Sequence, residues 1–121
     1  AMKASASISS NIEDLATFFT HLYAGDFFKR EKTLRLMTEF DRDSGYGLGL
    51  RITAIEDEIF YYGHPGDFDG FISRSFYSPQ TGELLIILVN ESAENAEEYY
   101  KLKKDLLRVI SQPYKATIIE D

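Results

Sequence analysis

Residues 83–89, Glu-Leu-Leu-Ile-Ile-Leu-Val, contain the longest apolar run in the 121-residue chain. The run has a strand's length and falls far short of the roughly 20 residues that a membrane-spanning helix needs. A strand without a polar side must be covered on both faces. The chain therefore has to place further layers on either side of a sheet. With 121 residues, 44% of them apolar, it can build one core and is too short for two ordinary domains.

The flanking segments supply those layers. Residues 1–9 are small and polar with no period and predict a flexible start. Ser10 and Glu13 have capping-box spacing ahead of Ile12, Leu15, Ala16, Phe19, Leu22 and Tyr23, so a helix begins there, and Gly25 ends it. A shorter helical stretch follows, with Leu34, Met37 and Phe40 on its apolar side, making residues 10–40 helical. Farther on, Asn90 and Ser92 offer caps for a last helix over residues 92–112. Its early Glu94, Glu97 and Glu98 and later Lys101, Lys103, Lys104 and Arg108 complement the macrodipole at both ends. Tyr99, Leu102, Leu106, Val109 and Ile110 form its predicted buried face, Pro113 stops it, and residues 113–121 form a tail with a β-prone stretch at 116–119.

Between these helices lies the sheet, over residues 45–90. Tyr46, Leu48, Leu50 and Ile52 alternate with Gly47, Gly49 and Arg51, the period of a half-buried strand. Glycines weaken a strand interior, so Gly47 and Gly49 mark close approach of another backbone or a ligand. A second strand is predicted over 59–62, a glycine- and proline-rich break over 63–70, a third strand over 71–77, a turn over 78–82 and a fourth strand over 83–89. The fold class expected is α+β, one domain. An antiparallel sheet of about four strands carries two N-terminal helices and a C-terminal helix.

Charge and composition narrow the function classes. The formal net charge of −7, with no Lys/Arg-rich stretch, argues against nucleic acid as a partner. With no cysteine, disulfides and thiolate metal sites are excluded. Ala1 precedes Met2, an order that cloning leaves behind and that suits a segment cut from a longer protein or, as readily, a full-length gene placed behind a tag.

Three stretches, taken in order, resemble the end of the serine β-lactamase and penicillin-binding-protein family, which includes class C β-lactamases, D-alanyl-D-alanine carboxypeptidases and esterases. Residues 7–16, Ser-Ile-Ser-Ser-Asn-Ile-Glu-Asp-Leu-Ala, are similar to its S-T-x-x-D-L-A helix start. Residues 45–49, Gly-Tyr-Gly-Leu-Gly, look like its Y-G-L-G strand. Residues 62–66, Tyr-Gly-His-Pro-Gly, followed by residues 69–73, Asp-Gly-Phe-Ile-Ser, resemble its G-H-x-G…P-G-F-x-S segment. The similarity covers roughly residues 7–111.

The resemblance implies a partial transpeptidase-like fold and an acyl-transfer site built from three motifs. An alcohol is a poor nucleophile near neutral pH and needs a neighbouring base, and the oxyanion needs N–H donors. No serine here has lysine three residues later, and no Tyr-x-Asn occurs. Both lie N-terminal to the matched region in the family, so the chain is expected to be the C-terminal part of such a hydrolase, inactive alone.

By resemblance, His64 occupies the third-motif position, Gly66 keeps the strand open to substrate, and the backbone N–H of Asp67 corresponds to an oxyanion donor. Pro65 departs from the family's hydroxyl or small residue and favours an esterase- or peptidase-like parent over β-lactam recognition. No cofactor or metal is expected. The partners implied are the missing N-terminal half and, through an exposed sheet edge, a second copy. The compartment is not fixed by composition, and the resemblance implies an exported bacterial parent, periplasmic or at the cell surface.

Blander readings stand beside these. On composition alone His64 reads as a turn histidine, and the flanking similarity is what favours the active-site position; Asp67, Asp69 and His64 together read as a solvated turn rather than a metal site. His21 reads as a surface residue. The cluster Phe18, Phe19, Tyr23, Phe27 and Phe28 reads as core. The whole chain also fits a complete non-catalytic binding or scaffold domain with PAS- or profilin-like proportions, or a fragment that complements another in trans.

Overall fold

The computed structural model describes residues 8–56, 59–92, 94 and 96–111. Among these, the elements run α1 (Ile12–Ala24), α2 (Lys32–Met37), β1 (Arg51–Glu56), β2 (Ile59–Phe68), β3 (Phe71–Tyr77), β4 (Leu84–Val89) and α3 (Glu97–Ser111). The strands form one antiparallel sheet in the order β1-β2-β3-β4, each paired with its sequence neighbour. The α+β class and the four-stranded sheet expected from the sequence are what the chain adopts. The expected start over 1–9 lies mostly outside the described residues, and the tail over 113–121 lies wholly outside them.

Helices cover both faces of this sheet, as the apolar β4 requires. On one face Tyr61, Ile72, Phe76 and Ile87 meet Ala96, Tyr99 and Leu107 of the α3 region. On the other, Leu22 and Tyr23 of α1 and Leu50 pack with Leu34 and Met37 of α2 and with Tyr62, Tyr77 and Leu84 of the sheet. The Tyr23 and Tyr77 rings stack at 4.1 Å. In the aromatic cluster Tyr23 is buried and Phe19 and Phe28 pack against this core, whereas Phe18 and Phe27 are exposed.

Several boundaries differ from the sequence reading. The N-cap of α1 is Asn11, whose Oδ1 accepts the Asp14 N–H at 2.8 Å, rather than Ser10. Helix α3 begins at Glu97, and the Ser92 hydroxyl instead accepts the N–H of Gly70. On α3, Leu102 and Val109 face solvent, and Leu107 takes the buried position.

Two differences bear on the site. Tyr46 forms only an isolated bridge to Arg51, and β1 proper starts at Arg51, because the chain doubles back between them with Gly47 N–H donating to the Leu50 carbonyl at 2.9 Å. Gly47 lies flat against α2, where a Cβ would run into the Met37 carbonyl oxygen. This is the close backbone approach its place in the strand pattern implied. The second difference is β2, which continues through the expected break. Its ladder with β3 runs unbroken from Tyr62↔Tyr77 to Phe68↔Phe71. A seven-residue partner on β3 outweighs the poor strand propensity of Gly63, Pro65 and Gly66, and at Gly63 any Cβ would collide with the Ser75 carbonyl.

Candidate functional site

His64, Gly66 and Asp67 lie together in the second half of β2. The His64 N–H turns toward β3, where the buried Ser75 hydroxyl accepts it at 3.3 Å. Backbone groups alternate sides along an antiparallel strand, so those of Pro65 and Asp67 turn the opposite way. Pro65 thus sits where its missing N–H removes no bond to β3. The β1 ladder ends at the Arg51↔Gly63 pair. Beyond it, among the described residues, no strand lies beside the outer edge of β2, and the Asp67 N–H points along that open edge. Gly66 packs on β3, since a Cβ there would meet the Ser73 hydroxyl.

The His64 ring is exposed, and both nitrogens have partners. Nδ1 is 2.6 Å from the Pro65 carbonyl oxygen, and Nε2 is 3.1 Å from the Tyr46 hydroxyl. The two rings meet edge to face, and the Arg51 guanidinium lies 5.5 Å over the Tyr46 ring. Tyr46 is held by a tight turn over residues 41–46. Asp41 N–H donates to the Tyr46 carbonyl at 2.8 Å, and Asp41 Oδ1 accepts from the backbone and hydroxyl of Ser44. The Ser44 backbone bond first, then its hydroxyl, hold the Asp41 carboxyl below the usual range.

Beneath the open edge, on the α3 face, Arg74 is buried at 8% exposure. Its Nη1 donates to the Gly66 carbonyl at 2.7 Å and the Ser73 carbonyl at 2.8 Å, and its Nη2 to both Asp67 carboxylate oxygens at 2.8 and 3.0 Å. The Asp67 side chain therefore anchors the strand while its backbone stays on the outer edge. Tyr99 stacks under Arg74, with a buried hydroxyl that has no hydrogen-bond partner among the described residues and a pKa raised chiefly by burial. Lys103, on α3, borders the same groove with Arg51, Thr53, Gly63 and Phe76. Burial, then the charge of Arg74, lowers its pKa.

The three residues singled out from the sequence thus share one strand. Asp69 sits in the turn between β2 and β3, and the Asp67 carboxylate is engaged by Arg74. His21 lies apart on α1, exposed, with Nδ1 2.6 Å from Asp26. Sequence reasoning missed Tyr46 and Arg74. A signal for Arg74 was present: an arginine alternating with Ile72 and Phe76 on an otherwise inward face. Tyr46 was marked only as part of the Y-G-L-G resemblance, and its contact with His64 depends on a fold-back that strand periodicity does not encode.

No protein-family model matches the sequence. Two solved structures of D-amino acid amidase from Ochrobactrum anthropi SV3 resemble the chain. One, complexed with D-phenylalanine, is 23% identical with a TM-score of 0.62, the match covering 84% of this chain and 35% of that one. The other is 24% identical with a TM-score of 0.65, covering 84% and 33% respectively. The chain spans about a third of the amidase's length, and over that third it has the same fold.

Proposed function

We propose that this chain is the C-terminal part of a β-lactamase-like serine hydrolase and carries one wall of an acyl-transfer site. What supports this best is the outer edge of β2 beyond the Arg51↔Gly63 pair, where strand alternation turns the Asp67 N–H away from β3 and no strand among the described residues lies beside it. An oxyanion is stabilised by donors fixed before the reaction and not already bonded to the protein. Arg74 fixes this backbone from below through the Gly66 carbonyl and the Asp67 carboxylate. Gly66 lets β2 lie close on β3 at Ser73, and His64 helps set the field near the reacting group. The nucleophilic serine and its lysine belong to the part N-terminal to this chain. The substrate is then a carbonyl compound that forms a tetrahedral intermediate, an amide, ester or lactam, and an amidase among its structural neighbours is in keeping with that class.

The test is covalent labelling with a fluorescent fluorophosphonate or penicillin. The chain alone is expected to take no label. Joined to the segment encoded directly upstream in the same frame, one bearing Ser-x-x-Lys, it is expected to label. In the joined protein Asp67→Pro, which removes the N–H, should slow labelling by about 100-fold, while Asp67→Asn should keep most of the rate. Labelling of the isolated chain, or indifference to Asp67→Pro, would sink the proposal.

A further inference from the structure

We infer that Tyr46 is the positioning residue of His64, fixing its tautomer so that the imidazole presents neither nitrogen to a substrate and the Tyr46 hydroxyl is the polar group that meets it. The inference deepens the acyl-transfer reading and rests on it only for the word substrate. A carbonyl oxygen accepts and cannot donate, so the 2.6 Å contact between Nδ1 and the Pro65 oxygen requires the proton on Nδ1. In the neutral ring Nε2 is then an acceptor, and the Tyr46 hydroxyl 3.1 Å away is its donor.

The chain of donors runs Tyr46 O–H to Nε2, and Nδ1–H to the Pro65 carbonyl. Both ends are held independently of the imidazole. The Pro65 oxygen belongs to β2, and Tyr46 is held by the backbone of the Asp41 turn. Tyr46 is 38% exposed, and its hydroxyl oxygen keeps acceptor capacity after donating to Nε2. His64 thereby acts on the site through Tyr46 rather than by direct contact.

The test uses the chain as it stands, labelled with nitrogen-15, with long-range proton–nitrogen correlations recorded well above the ordinary titration range of histidine. His64→Gln assigns the two histidines. The wild-type His64 is expected to show a protonated Nδ1 and a bare Nε2. In Tyr46→Phe the ratio of Nδ1–H to Nε2–H tautomers should fall about three- to tenfold, the worth of one hydrogen bond. Arg51→Gln, which leaves the hydroxyl in place, should hold the ratio near the wild-type value. Circular dichroism checks that the sheet persists. Should Tyr46→Phe perturb it, the wild-type tautomer together with Arg51→Gln decides. An Nε2–H tautomer in the wild type, or a Tyr46→Phe spectrum that matches it, overturns the inference. Because no catalysis enters this measurement, a failed labelling of the joined protein rejects the acyl-transfer reading and leaves the clamp standing.

Discussion

A guanidinium buried between a sheet and a helix has to direct its N–H groups at fixed acceptors, and Arg74 directs them at two carbonyls and one carboxylate. The planar fork matters because lysine has one nitrogen and no fixed geometry, so it cannot reach the Gly66 oxygen and both Asp67 oxygens together. Arg74→Lys is therefore expected to destabilise the fold by about 2 kcal/mol, most of it from acceptors left unpaired under α3. Asp67→Asn should cost less, since Asp67 is 48% exposed and water replaces part of its bond. Urea midpoints for the two variants check this, and the reverse ranking would show that the ion pair rather than the carbonyl contacts fixes the strand. At this scale the sequence was legible where chemistry is local. His64, Gly66 and Asp67 share one strand because they are sequence neighbours. The contact of Tyr46 with His64 spans 18 positions and depends on a turn whose only sequence mark is Asp41 and Ser44.

Elements form where their side chains find a covered face, and α1 shows how one phenol ties a helix to the sheet. Tyr23 is buried, stacks on Tyr77 and donates to the Tyr62 carbonyl at 3.4 Å. Burial first, and then Tyr77, push its pKa well above the ordinary 10.0. Tyr62 is raised too, mainly by burial. A raised folded pKa means that the folded chain keeps protons the unfolded chain releases. The associated stability is whole below pH 10 and is lost as pH rises beyond it. Lys103 acts with the opposite sign: its lowered value makes the unfolded chain hold more protons, so its contribution rises with pH up to 10.5. Tyr23→Phe should therefore flatten the fall in stability between about pH 10 and pH 11 while shifting the midpoint at about pH 8 by less than about 1 kcal/mol. Urea titrations of both proteins across that range test it, and parallel pH curves would contradict it. Element positions were readable where burial imposes them, and α1, β3 and β4 fall close to where the pattern put them, whereas the α3 face was misplaced at Leu102 and Val109 and the period from Tyr46 to Ile52 hid a fold-back. The length of β2 was not readable, because its glycines and proline are tolerated only against a partner strand that local propensity does not see.

A sheet with helices on both faces still has two rims, and this one treats them differently. The fold-back through Tyr46 flanks β1, whereas among the described residues no strand lies beyond β4. Since Ser73 and Ser75 turn toward β2, the alternation directs Ile72, Arg74 and Phe76 at β4, paired there with Val89, Ile87 and Leu85. The backbone groups of Leu84, Ile86 and Leu88 consequently face outward. A flat apolar edge of this kind recruits another strand. On the proposed function, a segment N-terminal to this chain would supply that strand. Alone, the chain has its own copy, and two β4 edges related by a two-fold axis pair antiparallel. Concentration-dependent dimerisation is therefore expected in sedimentation equilibrium. Proline discriminates the two sides of β4: Leu88→Pro removes an outward N–H at a residue 38% exposed and should give a folded monomer, whereas Ile87→Pro breaks the ladder to β3 and should lose the fold. A wild-type chain that stays monomeric at every concentration would show that the edge is blocked within the chain itself. A dimer unaffected by Leu88→Pro would place the interface elsewhere. On the proposed function, joining an N-terminal segment is expected to abolish the dimer along with the open edge, so that loss of self-association and gain of acylation would report the same completed sheet.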